Sequence, residues 1–301
     1  MAAAAAALPA PLRALAVGEA SAVRPQDLIT KPIPATGERL PVIGMGTWLT
    51  FNVLPVGGLL DGRVEVLRRF FDAGGAVVDS SPMYGRSESV VGACLARLAN
   101  DGGLFSATKV WTPLQLLGRG QIDDSHELWG VEVLDLLQVH NMVAWEAHLE
   151  TLRDHRAAGR LRYAGITTSH GRRHAEMEAV LRRERFEFVQ LTYNLLDREA
   201  EARLLPLAAD RGIAVIANRP FRRGALIGAL AGRPLPPWAA DVGCATWPQL
   251  LLKFVVSHPA VTCAIPATSQ PEHMSENMAA ARGELPDARM RARLVRWVEE
   301  L

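Results

Sequence analysis

The sequence predicts an α/β protein, a (β/α)8 barrel preceded by a β-hairpin, and three observations carry that expectation. Strand-like apolar runs alternate with helix-like segments through short connections, which argues for a parallel sheet with helices outside it. Eight such units argue for closure, and 301 residues is a length that one barrel domain fills. Three of the runs end in a titratable side chain: residues 76–78 deliver Asp79, 104–108 deliver Lys109, and 133–139 deliver His140. The C-terminal strand ends of a parallel barrel converge on one mouth, so these distant residues would meet there. An open doubly wound sheet is the alternative, but no Gly-x-Gly-x-x-Gly stands at a first strand-to-helix turn.

Residues 1–25 read as an Ala/Pro-rich tail or a remnant leader, and 26–301 as the barrel domain. The first 22 residues carry Pro9 and Pro11 and end in Ala20-Ser21-Ala22, which has the form of a leader cleavage site, yet no basic segment precedes the apolar part. A tail implies a cytoplasmic protein; a truncated leader implies export. Residues 28–46 read as a hairpin and the first barrel strand, with turn chemistry in Pro34-Ala35-Thr36-Gly37-Glu38. Helices are then expected at 64–73, 88–98, 122–129, 145–158, 174–183, 199–209 and 248–258. Between them fall strands at 77–81, 105–110, 133–140, 163–167, 188–194, 214–218 and 262–266. Ser87 is the expected N-cap of the second helix. Residues 288–300 form an amphipathic helix that packs on the barrel.

Bulk properties remove several function classes. A net charge of +1 with both signs interspersed offers no field for nucleic acid and no polybasic membrane patch. No apolar run has membrane-spanning length. Cys94, Cys244 and Cys263 are widely spaced and odd in number, which fits buried reduced thiols rather than a disulfide framework or a metal set. A monomer or weak oligomer is expected.

Taken singly, Asp79 reads as a turn former, Lys109 as a strand-end lysine, His140 as an interior histidine and Tyr84 as packing. Together they form an acid system. A tyrosine of ordinary pKa about 10 is a poor proton donor. A nearby ammonium favours the phenolate and lowers that value, a carboxylate holds the lysine, and a histidine can bond the same substrate oxygen.

These segments resemble the aldo-keto reductases. The matching stretches are Val78-Asp79-Ser80-Ser81-Pro82-Met83-Tyr84-Gly85, Thr108-Lys109-Val110-Trp111 and Leu137-Gln138-Val139-His140-Asn141, and the likeness runs from about Leu28 to Ala281. The resemblance implies a hairpin that closes the barrel floor and an Asp79, Tyr84, Lys109, His140 tetrad. It implies a small-molecule aldehyde or ketone as substrate and NADP(H) as cofactor, with NAD(H) kept open by Glu272 and Glu276. Gly44, Gly46 and Thr47 match the segment that passes the nicotinamide. Gln190 matches the amide-binding glutamine, whose side chain can donate and accept at once. Thr167 and Thr168 stand where the family has a second amide contact, and Thr168 has only a hydroxyl to give. Asn218 replaces a stacking aromatic, a part that Phe221 could take. Arg219, Pro220, Arg222 and Arg223 lie in the segment that covers the pyrophosphate. Thr268, Ser269 and Gln270 fall at a 2′-phosphate site, His273 where an arginine often stacks on adenine, and Glu276 and Asn277 where adenine is bonded. Trp48, Phe51, Met83, Trp111 and Asn141, with residues 224–247, would build the substrate pocket.

The implied reaction is carbonyl reduction with Tyr84 as proton donor, without metal or covalent intermediate. Two other classes stay open. A tetrad-bearing barrel could be an NADP(H)-binding redox sensor or regulatory subunit with little turnover. A metal-dependent hydrolase could use Asp79 and His140, although no His-x-His or further carboxylate cluster accompanies them.

Overall fold

The computed structural model describes residues 28–98 and 103–300, so the tail or leader expected over 1–25 lies outside the described residues. A hairpin of β1 (Thr30–Pro32) and β2 (Arg39–Pro41) precedes eight barrel strands. These are β3 (Met45–Gly46), β4 (Val77–Asp79), β5 (Phe105–Val110), β6 (Leu134–Val139), β7 (Leu161–Thr167), β8 (Phe188–Thr192), β9 (Ala214–Asn218) and β10 (Cys263–Ala264). Each pairs in parallel with the next in sequence order. Parallel bridges from Ile43 to Ala264 and from Gly46 to Ala267 join the first strand to the last and close the barrel. Glycine is needed at that seam. A Cβ on Gly44 would stand 2.9 Å from Val77 O, and one on Gly46 would stand 3.0 Å from Ile265 O.

Period-two alternation divides the strands into two cores. Inward positions fill the lumen: Val77, Phe105, Leu136, Tyr163, Phe188, Ile216 and Cys263 pack there, plugged from below by Ile33 and Leu40 of the hairpin. Outward positions such as Val78, Leu137, Val139, Ile166, Val189 and Val215 pack against the helices. The same inward register continues upward into polar residues: Asp79 above Val77, Lys109 above Ala107, Gln138 above Leu136, Gln190 above Phe188, and Asn218 above Ile216. The floor is apolar and the mouth is polar because each inward row changes character along its strand.

Around the barrel run α1 (Gly57–Asp72), α2 (Ser87–Leu98), α3 (Gln115–Trp129), α4 (Trp145–Ala157), α5 (His174–Arg183), α6 (Leu204–Asp210) and α8 (Trp247–Val256). The short α7 (Ala225–Leu230) sits in the long loop after β9; α9 (Pro271–Ala279) follows β10, and α10 (Ala288–Glu299) packs through Leu294. Two expectations are corrected. Helices α1 and α3 begin at Gly57 and Gln115, well before residues 64 and 122, because their first turns are largely exposed and each buries a single residue, Leu60 and Gly118. Ser87 is not an N-cap: it is the first helical residue, and its hydroxyl donates back to Tyr84 O at 2.9 Å. Among the described residues no helix is long and apolar enough to cross a membrane.

Candidate active site

The mouth is organised by a buried carboxylate. Lys109 Nζ donates to Asp79 Oδ1 at 2.6 Å and to Ser80 O at 2.7 Å. Asp79 Oδ2 accepts from Gln138 Nε2 at 3.1 Å and from Gln190 Nε2 at 2.9 Å. All four side chains are buried, so each polar atom in this network relies on another rather than on water. Burial works to push the Lys109 ammonium down, and the adjoining Asp79 carboxylate opposes it.

Tyr84 closes a 3-10 turn, Pro82–Tyr84, that begins where Ser81 Oγ accepts from Met83 N and ends at Gly85 with φ 64°. The turn brings the phenol ring to 5.2 Å from Lys109 Nζ, edge-on to the His140 ring at 5.7 Å and 6.4 Å from the Trp48 ring. Here the sequence expectation is corrected. Burial and then the Asp79 charge hold the Tyr84 phenol well above its ordinary value. His140 follows β6 with Nδ1 2.9 Å from Ser81 Oγ. Burial and the Lys109 charge push its imidazole down to about 3, so the ring is neutral.

A cavity of about 420 Å³ opens above these groups. Its walls include Asp79, Tyr84 and His140 from the tetrad, while Lys109 lies behind them. Gly46, Thr47, Thr168, Gln190, Asn218, Arg219, Pro220 and Arg223 also line it, as do Trp48, Met83 and Asn141. Other expected residues lie elsewhere. Arg222 turns to Asp197 at 3.1 Å, Trp111 is 42% exposed off the cavity, and Phe51 is fully buried in the core. Thr268, Ser269, Gln270, His273, Glu276 and Asn277 sit beyond Ala267, where the cavity ends, at and along α9.

Several polar groups are already committed. Thr168 Oγ1 donates to Arg172 O at 2.5 Å, and Gln190 gives its amide hydrogens to Asp79 and Gln138. Gln190 Oε1 already accepts from Asn218 Nδ2 at 3.4 Å, so Gln190 offers a ligand one remaining lone pair, not the donor-acceptor pair expected from its side chain. Phe221 lines the wall, but it is buried in the helix-facing core and is not free to stack. Arg219 is different: its Nε and one Nη are buried without a hydrogen-bond partner. Buried guanidinium donors left open fit an anionic group such as a phosphate, so the residues present suit a nucleotide cofactor. Arg223 lies 4.6 Å over the Trp48 ring on the same rim.

Two participants escaped the sequence reading. Gln138 lies two residues before His140, hence on the same inward row, and that period was the signal for it. The part played by Ser81 depends on the turn geometry and had no sequence signal. Among the described residues no group of three or more His, Cys, Asp or Glu side chains comes together to hold a metal.

Comparison with known proteins agrees with the barrel fold. The family model described as Aldo/keto reductase family matches residues 42–293. The chain is 28% identical over 211 residues to aldo-keto reductase YhdN of Bacillus subtilis (strain 168), a match that covers 65% of this chain and 63% of that protein. It is 23% identical over 321 residues to the NADH-specific methylglyoxal reductase of Escherichia coli (strain K12), covering 85% and 94%. The crystal structure of an aldo/keto reductase from Klebsiella pneumoniae in complex with NADP and acetate superposes with TM-score 0.72 at 26% identity, covering 87% and 92%. With a closed parallel barrel, a strand-end Asp-Tyr-Lys-His cluster and a family match across most of its length, the chain belongs to the aldo/keto reductase family.

Proposed function

We propose that this protein reduces an aldehyde or ketone to the alcohol, with Tyr84 as the proton donor and NADP(H) as cofactor. The convergence of Asp79, Tyr84 and His140 on one cavity wall, with Lys109 bonded to Asp79 behind it and 5.2 Å from the Tyr84 ring, carries the reading. When bound, the nicotinamide supplies the hydride to the carbonyl carbon. The chain supplies the rest. Tyr84, kept protonated by burial, gives its proton to the carbonyl oxygen as charge develops there. Neutral His140 orients that oxygen, and the Lys109 ammonium, anchored by Asp79, favours the phenolate that Tyr84 becomes.

Gly46, Thr47, Gln190 and Asn218 would hold the nicotinamide end; Arg219, Pro220 and Arg223 would hold the phosphates. Thr268 to Gln270 and His273, Glu276 and Asn277 would take the adenosine end at the start of α9. The hydroxyl and amide groups of the Thr268-Ser269-Gln270 run favour the 2′-phosphorylated cofactor, and the NADH specificity named for the E. coli relative makes NADH the comparison to run. Trp48, Leu49, Met83 and Ile227 give the substrate wall an apolar character that suits a carbonyl compound with an apolar body, and Asn141 adds one amide to it.

The test is tryptophan fluorescence titration with NADPH and NADH, followed by cofactor absorbance on adding an aromatic aldehyde, for wild type and Tyr84→Phe. Binding by both with turnover by wild type alone is the expected result. Binding by both with turnover by neither would favour a redox sensor, and no binding would remove the cofactor assignment.

A further inference from the structure

We propose that Ser81 is a positioning residue that fixes the tautomer of His140, so that Nε2 presents its hydrogen to the cavity. The inference rests on the carbonyl-reductase reading of the site and adds the group that makes one of its donors a donor. A neutral imidazole has a single N–H, and its placement decides whether the ring face in the cavity can donate to a carbonyl oxygen or only repel it.

Ser81 leaves β4 in an extended conformation, φ −166° and ψ 146°, which puts its hydroxyl beneath the turn that carries Tyr84. Its Oγ accepts from Met83 N at 3.2 Å and lies 2.9 Å from His140 Nδ1. Both side chains are buried, at 0% and 5% exposure, so bulk water does not satisfy whatever is left over. A hydroxyl has one hydrogen to give. If Nδ1 carried the ring hydrogen, Ser81 Oγ would accept twice, and its own hydrogen would have no acceptor among the described residues. With Nδ1 as acceptor, Met83 N, Ser81 Oγ–H and Nδ1 are all paired and the ring hydrogen stands on Nε2. One orphaned buried hydroxyl separates the two arrangements, enough to favour the second by roughly tenfold or more.

The chain of contacts also ties donor and acid together. Ser81 caps the turn that ends in Tyr84 and orients the ring that meets Tyr84 edge-on. A single hydroxyl thus sets the placement of the proton donor and the proton position of its neighbour.

The experiment reads the tautomer directly. Protein labelled with 15N-histidine is examined by two-bond 1H–15N correlation, with the His140 signals assigned by their loss in His140→Asn. Aldehyde reduction is measured alongside for wild type, Ser81→Ala and Ser81→Thr. Wild type is expected to show His140 protonated on Nε2 alone. Ser81→Ala should show Nδ1–H in a substantial fraction and lose roughly tenfold in kcat. Its KM and NADPH affinity should stay within about twofold of wild type. Ser81→Thr, which keeps the hydroxyl, should restore both readouts. A wild-type His140 protonated on Nδ1 would overturn the proposal, as would a Ser81→Ala variant with unchanged tautomer and kcat. If Ser81→Ala does not fold, the wild-type spectrum decides alone. Wild-type protein that reduces no aldehyde removes the reductase reading, while the spectrum still judges Ser81.

Discussion

At the residue scale, the decisive point is which charge Tyr84 feels. A lysine near a tyrosine favours phenolate, but Lys109 is 2.6 Å from Asp79, whose negative charge acts on Tyr84 in the opposite sense. Burial then dominates, and Asp79 adds to it, so the phenol is held above its ordinary value rather than below it. For reduction the protonated form is the active one. The kcat/KM for aldehyde should therefore be flat from about pH 5 to 9 and fall only as the phenol ionises, above about 10. His140 should contribute no limb in that range, since it gains its proton near pH 3. A pH–rate profile at saturating cofactor checks this, and an alkaline limb between about pH 7 and 9 would mean that the lysine wins after all. The sequence made the tetrad legible because each member ends a strand or the turn beyond it. It could not show that Arg222 turns to Asp197, that Gln190 is spent on Asp79, or that Phe51 points into the core. Those outcomes depend on loop geometry and on which neighbour reaches a polar atom first.

At the element scale, the site depends on how closely α2 and α3 approach. Glu88 on α2 accepts from Thr108 Oγ1 of β5 at 2.6 Å and from Trp129 Nε1 of α3 at 3.0 Å, so one buried carboxylate joins two helices to the strand that carries Lys109. Gly92 makes that approach feasible. A Cβ there would stand 1.8 Å from Leu128 O, a backbone atom that cannot rotate aside. Gly92→Ala gains about 1 kcal/mol of helix propensity, but displacing α3 costs more, so a net loss of about 2 kcal/mol is expected. Gly120→Ala in α3 meets nothing within 4 Å and should stabilise by up to about 1 kcal/mol. Urea denaturation of the two variants checks both signs, with the midpoint moving and the slope unchanged. Element order was readable from the sequence because apolar periodicity reports burial directly. Exposed first turns, as in α1 and α3, leave no such pattern, and a glycine in a helix reads as a defect until the neighbouring backbone is known.

At the scale of the whole molecule, the closed barrel buries histidines that the proposed chemistry does not use, and they make its stability depend on pH. His126 of α3 and His155 of α4 stack with ring centroids 6.3 Å apart and planes inclined by 16°. His126 Nδ1 bonds Val131 O at 3.1 Å, while His126 Nε2 and His155 Nδ1 are buried without partners. Burial, aided by the Arg160 charge, holds both rings below their ordinary pKa, and burial does the same to His140 and His258. The unfolded chain takes up protons on these groups at about pH 6.5, while the folded protein still excludes them. Below that pH the unfolded state binds more protons, so stability must fall as pH falls, by about 1.4 kcal/mol per pH unit for each histidine whose folded pKa has not yet been reached. Above about pH 7 both states are neutral at these positions and the histidines contribute no slope. Most carboxylates titrate below about pH 4.5, and Glu88, raised by burial, acts with the opposite sign, so a decline between about pH 6.5 and 5 reports the histidines. Thermal unfolding across that interval should show a level Tm down to about pH 7 and a steady decline beneath it. His155→Gln removes one of the excluded protons and the like-charge neighbour of His126, so its decline should be shallower than that of wild type. A Tm that stays level to pH 5, or an equal slope in the variant, would mean that the α3–α4 seam opens to water and admits protons in the folded state.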